Sequence, residues 1–172
     1  MVRLLCFTLC CVFTSMPAKS ELSFNGSLGI EYGYDDNVVV EEIDLQTDLG
    51  DQFIRYRLRG GIDYSASKNQ ELTAGLSIND RRFQDAGNFD LRTILVSTGY
   101  RYDFGDLTLG VDLRRADAEL GGNDFLTLDQ ISPFFSYFIS REHFIRGSYT
   151  YIDKSLENNV ARDADSDELA ID

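Results

Sequence analysis

Arg55, Arg57 and Arg59 stand at alternate positions in the stretch 53–64, beside Ile54, Tyr56, Leu58, Gly60, Ile62 and Tyr64. In an extended chain alternate residues share a face, so three guanidinium groups line one side and an apolar row the other. Facing lipid near a bilayer midplane, each arginine costs about 2–4 kcal/mol, and three approach the stability of a typical domain, about 5–15 kcal/mol. Facing a wet interior they offer fixed forks of donors that favour anionic solutes. Arg92, Arg101 and Arg114 belong to later segments of the same kind, and all six are candidate lumen-facing residues. Glu31, Asp63, Glu71 and Asp112 fall on polar faces too, so the arginines can equally hold an interior wall together as ion pairs.

Other reactive groups are sparse. Asp35-Asp36-Asn37 and Asp163-x-Asp165-x-Asp167 offer carboxylates to a hard cation, but the second lacks the glycine and later glutamate of a calcium loop. Both read as solvated external loops, able to share divalent cations with lipopolysaccharide. His143 is the only histidine and lies in a predicted short turn, without the partners that nucleophilic or metal chemistry needs. Cys6, Cys10 and Cys11 all precede residue 21, so thiol chemistry and cysteine metal sites are absent beyond it. No glycine-rich phosphate loop opens a helix. The expectation is a protein that is not an enzyme and holds no cofactor.

Strands must position these groups. Leu22, Phe24, Gly26, Leu28, Ile30, Tyr32 and Tyr34 alternate with Ser23, Asn25, Ser27, Gly29, Glu31 and Gly33 without a break. A period of two over this length predicts a strand longer than the usual globular one, of the size a membrane-spanning barrel uses. Further strands are predicted near 53–64, 71–81, 91–102, 107–115, within 125–138, and 144–152, with an eighth beginning at Leu169. The connections run long, short, medium, short, long, short, long, the rhythm of an outer-membrane barrel with short periplasmic turns. Tyr32, Tyr34, Tyr64, Tyr100, Tyr102, Phe104, Tyr149 and Tyr151 gather near strand ends, as two aromatic girdles do. In the sixth strand Leu126 and Leu128 fall on one face and Ile131, Pro133, Phe135 and Tyr137 on the other, which predicts a bulge near 130–133.

The ends and the charge set bounds. Arg3, the apolar run 4–16 and Ala18-Lys19-Ser20 read as an export signal over 1–20, cut before Glu21. Without Arg3 and Lys19 the remainder has 14 basic and 29 acidic side chains, a net charge of −15 that argues against nucleic acid. No stretch after residue 20 is apolar for the roughly 18 residues a spanning helix needs. The eighth strand is unfinished at Asp172. Open edges cannot stand in lipid, so 21–172 is expected to be the N-terminal part of a barrel of about ten to sixteen strands.

The stretch Gly29-Ile30-Glu31-Tyr32-Gly33-Tyr34-Asp35-Asp36-Asn37-Val38 resembles the opening strand of Gram-negative outer-membrane β-barrels of the porin-2 type. Related-looking barrels belong to surface lipoprotein assembly modifiers and polysaccharide exporters. Ser132-Pro133-Phe134, Tyr149-Thr150-Tyr151 and Arg162-Asp163-Ala164-Asp165 extend the likeness. The resemblance implies an outer-membrane protein. The chain has no tetratricopeptide-like helical domain ahead of its first strand, unlike the modifiers and exporters. The expected fold is all-β, an antiparallel up-and-down transmembrane barrel. Its expected partners are outer-membrane lipid, lipopolysaccharide and the barrel-insertion machinery. The leading function is porin-like solute passage. The alternatives are an export barrel for polysaccharide or surface lipoprotein, and a soluble exported β-sandwich or lipocalin-like binder.

Overall fold

The computed structural model describes residues 20–36, 38–40, 45–46, 50–140, 143–157 and 163–171. Apart from Ser20, the expected export signal lies outside them. The strands are β1 (Glu21–Asp35), β2 (Val39–Val40), β3 (Leu45–Gln46), β4 (Asp51–Ser67), β5 (Gln70–Phe83), β6 (Leu91–Asp103), β7 (Leu107–Leu120), β8 (Asn123–Phe138), β9 (Phe144–Leu156) and β10 (Ala164–Ile171). β2 and β3 pair antiparallel in a two-stranded sheet of their own, and a 3-10 turn covers Gly87–Phe89. The other eight strands make one antiparallel up-and-down sheet in the order β1-β4-β5-β6-β7-β8-β9-β10. β1 and β10 are its two edges and do not pair with each other, so the sheet is open.

Turn chemistry fixes several of the reversals. Gly105 has φ of 96°, and its N–H donates to the Asp103 carboxylate at 2.7 Å. Gly121 and Gly122, with φ of 57° and 80°, form a two-residue link between β7 and β8. A long loop was expected there, with β7 ending at residue 115. Instead both strands run on to meet at the glycines. β10 likewise begins at Ala164, so the run Asp163-x-Asp165-x-Asp167 enters a strand rather than staying in a loop.

The expected bulge near 130–133 is absent. Pro133 pairs with Val111 in an unbroken register toward β7. Toward β9 the register is the same on both sides of Ser132 and Pro133, while those two positions lack partners. The missing donor of proline removes rungs without shifting the strands. The Ser132 and Thr150 hydroxyls hydrogen-bond across the gap at 3.1 Å. The bulge falls at Phe125 instead, where Ala118↔Leu126 is followed by Glu119↔Asp124, and Phe125 joins Leu126 in an apolar cluster.

Antiparallel partners share a face, so the register can be followed across the sheet. One row reads Leu28, Leu58, Ile78, Ile94, then Asp117, Thr127 and Ser155. The row on the loop side of it reads Ile30, Tyr56, then Asp80, Arg92 and Glu119. The next row toward the short turns reads Gly26, Gly60, Leu76, Val96, then Arg115, Asp129, Asp153 and Asp165. The one beyond reads Phe24, Ile62, Ala74, Thr98, Leu113, Ile131, Tyr151, and turns acidic only at Asp167. The apolar-to-charged boundary thus crosses the sheet diagonally.

The opposite face inverts with it. Beside the apolar band it is polar, as in Thr73, Gly75 and Ser77 of β5. Beyond the boundary it becomes apolar. Ala118, Phe125 and Leu156 are buried there and pack with Phe89, Leu91, Leu120 and Leu126. Within the band the polar side is the more covered one: Leu72, Ala74 and Leu76 are exposed, while Thr73, Gly75 and Ser77 are half-buried. The sheet is therefore inside out on one side of a diagonal line and ordinary on the other.

Candidate functional site

The site is the polar face of β1, β4 and β5. Arg55, Arg57 and Arg59 project from β4 by the period of two, opposite Glu31, Gly29 and Ser27 of β1. Glu31 accepts from Arg55 Nη1 at 3.2 Å and also pairs with Arg57. Arg81, opposite Arg55 on β5, pairs with Asp35. Its guanidinium lies 4.2 Å from the Phe53 ring centroid and 4.5 Å from that of Phe83, and Arg55 stands 5.2 Å from Phe53. Cation–π contact of this kind contributes about 0.5–2 kcal/mol. Four cations, Arg55, Arg57, Arg59 and Arg81, thus face two acids, Glu31 and Asp35. The Nε atoms of Arg55 and Arg81 and Oδ1 of Asn79 are buried without hydrogen-bond partners among the described residues.

An apolar gallery closes the loop end of this face. Val38 is 1 % exposed and packs with Phe53 and Phe83, with Ala86 and Phe89 against them. Phe89 also belongs to the cluster around Ala118, so one ring joins the two. Asp51, beyond the apolar band at the start of β4, pins this loop. Its carboxylate accepts the N–H groups of Gln52 at 2.7 Å and of Asp85 and Ala86 at 2.8 Å. Burial alone would raise the Asp51 pKa. The backbone N–H groups of Ala86, Asp85, Gln52 and Gln84 outweigh it and hold the group below the ordinary 3.8. A depressed pKa gives stability present above the unfolded value and lost as pH falls through the folded one, so the anchor weakens only below about pH 4. Asp51→Asn is expected to speed amide hydrogen exchange at Asp85 and Ala86 at neutral pH, and to match the parent protein below that range.

The other expected lumen residues divide. Arg101 pairs with Glu71 on the polar face, and Arg114 lies on that face opposite Ser97 and Gln130. Neither Arg59 nor Arg114 has an ion-pair partner among the described residues. Arg92 departs from the group. It sits in the row with Tyr56, Asp80 and Glu119, on the apolar side, and stands 3.8 Å from Glu119. It lies beyond the diagonal boundary, where that side is charged. Of the acids expected as partners, Glu31 and Glu71 pair with arginine. Asp63 instead accepts from Ser23 and Asn25, at 3.3 and 3.5 Å.

No family model, curated protein or solved structure matches this chain.

The remaining candidates have local roles. His143 Nδ1 and the Ser140 hydroxyl are 3.1 Å apart, and the Ile139 N–H donates to the His143 carbonyl at 3.0 Å, which closes the turn. Asp163 caps β9 by accepting the Leu156 N–H at 2.7 Å, and Asp167 pairs with the Tyr149 hydroxyl. Asn37 lies outside the described residues. No three metal-ligating side chains converge among the described residues. Arg81 and Arg146 were missed by the sequence reading, although their parity with Asn79 and Ser148 marks both as polar-face residues.

Proposed function

We propose that this chain forms the wall of an outer-membrane β-barrel of porin-like type, through which small solutes pass along the arginine-bearing face. The observation that carries the reading is the inversion of both faces across one diagonal line. A soluble sandwich has no reason to turn itself inside out partway along its strands. A bilayer does: a level hydrocarbon layer crosses strands that lean by about 35–45°, so its edge cuts the hydrogen-bonded rows obliquely. Large exposed apolar surface in the band, including Leu58 at 44 % and Leu113 at 42 %, fits contact with lipid. The charged rows beyond the boundary suit headgroups and lipopolysaccharide.

Closure follows from the same physics. Unpaired amides are not tolerated in hydrocarbon, so β1 and β10 need partners. The two edge strands run antiparallel to each other, so they either pair directly or are joined through an even number of added strands.

Planar-bilayer recording on the full chain tests the reading. Conductance is expected, with a preference for anions that moves toward cations in an Arg55→Gln, Arg57→Gln, Arg59→Gln triple variant. Protein that stays monodisperse in plain buffer and shows no heat-dependent gel mobility would sink the proposal.

A further inference from the structure

The polar face carries a second feature near the short turns. Two adjoining cavities of about 380 and 240 Å³ share Glu71, Arg101, Phe134 and Arg146. Arg101 and Glu71 neutralise each other. The Phe134 ring lies against Gly110, which has no Cβ to obstruct it. The Arg146 guanidinium stands 5.5 Å from the centre of that ring and has no ion-pair partner among the described residues. Asp112 lines the smaller cavity from β7, with Oδ1 over Gly99, and makes no ion pair or hydrogen bond among the described residues. Strand order puts Phe134 on β8, between Asp112 on β7 and Arg146 on β9. An unpaired cation and an unpaired anion therefore line one cavity with an aromatic ring between them.

We infer that this cavity binds a small zwitterion of short-peptide size, its carboxylate on Arg146, its ammonium on Asp112 and its body against Phe134. The inference rests on the reading of this face as wet. Each charge selects twice. Asp112 attracts an ammonium and repels a plain acid, and Arg146 does the converse. A ligand bearing both groups satisfies both, whereas a singly charged analogue leaves one side chain without a partner.

Calorimetric titration of the full chain in detergent micelles tests this with three probes of like shape. Glycyl-phenylalanine is the zwitterion, N-acetyl-phenylalanine the anion and glycyl-phenylalaninamide the cation. The dipeptide is expected to bind at least about tenfold more tightly than either analogue, the effect of one charge-assisted contact. Arg146→Gln should erase its advantage over the amide, and Asp112→Asn its advantage over the acid. The ranking on the unmodified protein needs no variant to fold. Equal binding of the three, or none, overturns the inference. The dipeptide preference in protein that conducts no ions leaves the site standing and removes the transport reading; conductance without that preference does the reverse.

Discussion

Leu58→Arg will lower the stability of vesicle-reconstituted protein by about 2–4 kcal/mol in urea unfolding, while Thr127→Arg will change it by less than about 1 kcal/mol. Both positions belong to one hydrogen-bonded row, Leu58 on β4 and Thr127 on β8, with β5, β6 and β7 between them. Both receive the same new charge, and the volume added is the larger at Thr127, so bulk alone would make that site the costlier one. What differs is the side of the diagonal boundary. Leu58 is flanked by Leu28 and Ile78, and on the proposed membrane reading a guanidinium there enters hydrocarbon. Thr127 is flanked by Asp117 and Ser155, and a guanidinium there meets an acid and water. Equal small losses at the two sites would mean that the apolar band does not face lipid.

Phe53→Ala is the second large effect. Phe53 is 8 % exposed and meets Phe83 edge-on with ring centres 6.1 Å apart. It also holds Val38 and supports the guanidinium groups of Arg55 and Arg81. Removing a buried aromatic ring costs about 3–5 kcal/mol, through lost transfer energy and the cavity left behind. Phe53→Leu keeps most of the volume and should lose less than about 1.5 kcal/mol. Urea midpoints of the two variants check the ratio. If both lose equally, the ring acts through its π face on the arginines rather than by filling the gallery.

Much of the sheet was legible because the zigzag persists. Leu22 to Tyr34 and Ile54 to Tyr64 keep strict alternation, and both are strands in the predicted register of faces. The ends of β7, β8 and β10 were not legible, for a physical reason. An eye following one apolar row loses it at Arg115, Asp117 and Glu119, where the strand continues but that face has become charged. The apolar row has moved to the other parity, at Ala116, Ala118 and Leu120. The acids of β10 misled in the same way. Arg92 was grouped with the inward arginines, but its register sets it in the row of Tyr56, Asp80 and Glu119, on the other side of the sheet from Arg55. The anchor formed by Asp51 depends on residues 34 or 35 positions away, and no spacing in the sequence announces it.

The diagonal edge has a consequence for how such a chain can change over evolutionary time. Adding one residue to a strand would swap its oily and wet sides from that point onward. Adding two preserves parity and slides the strand one notch along the slope, where the adjoining strand already differs by a similar step. Lengthening and shortening should therefore occur in pairs of residues within the strands, while the connections between them vary by any number.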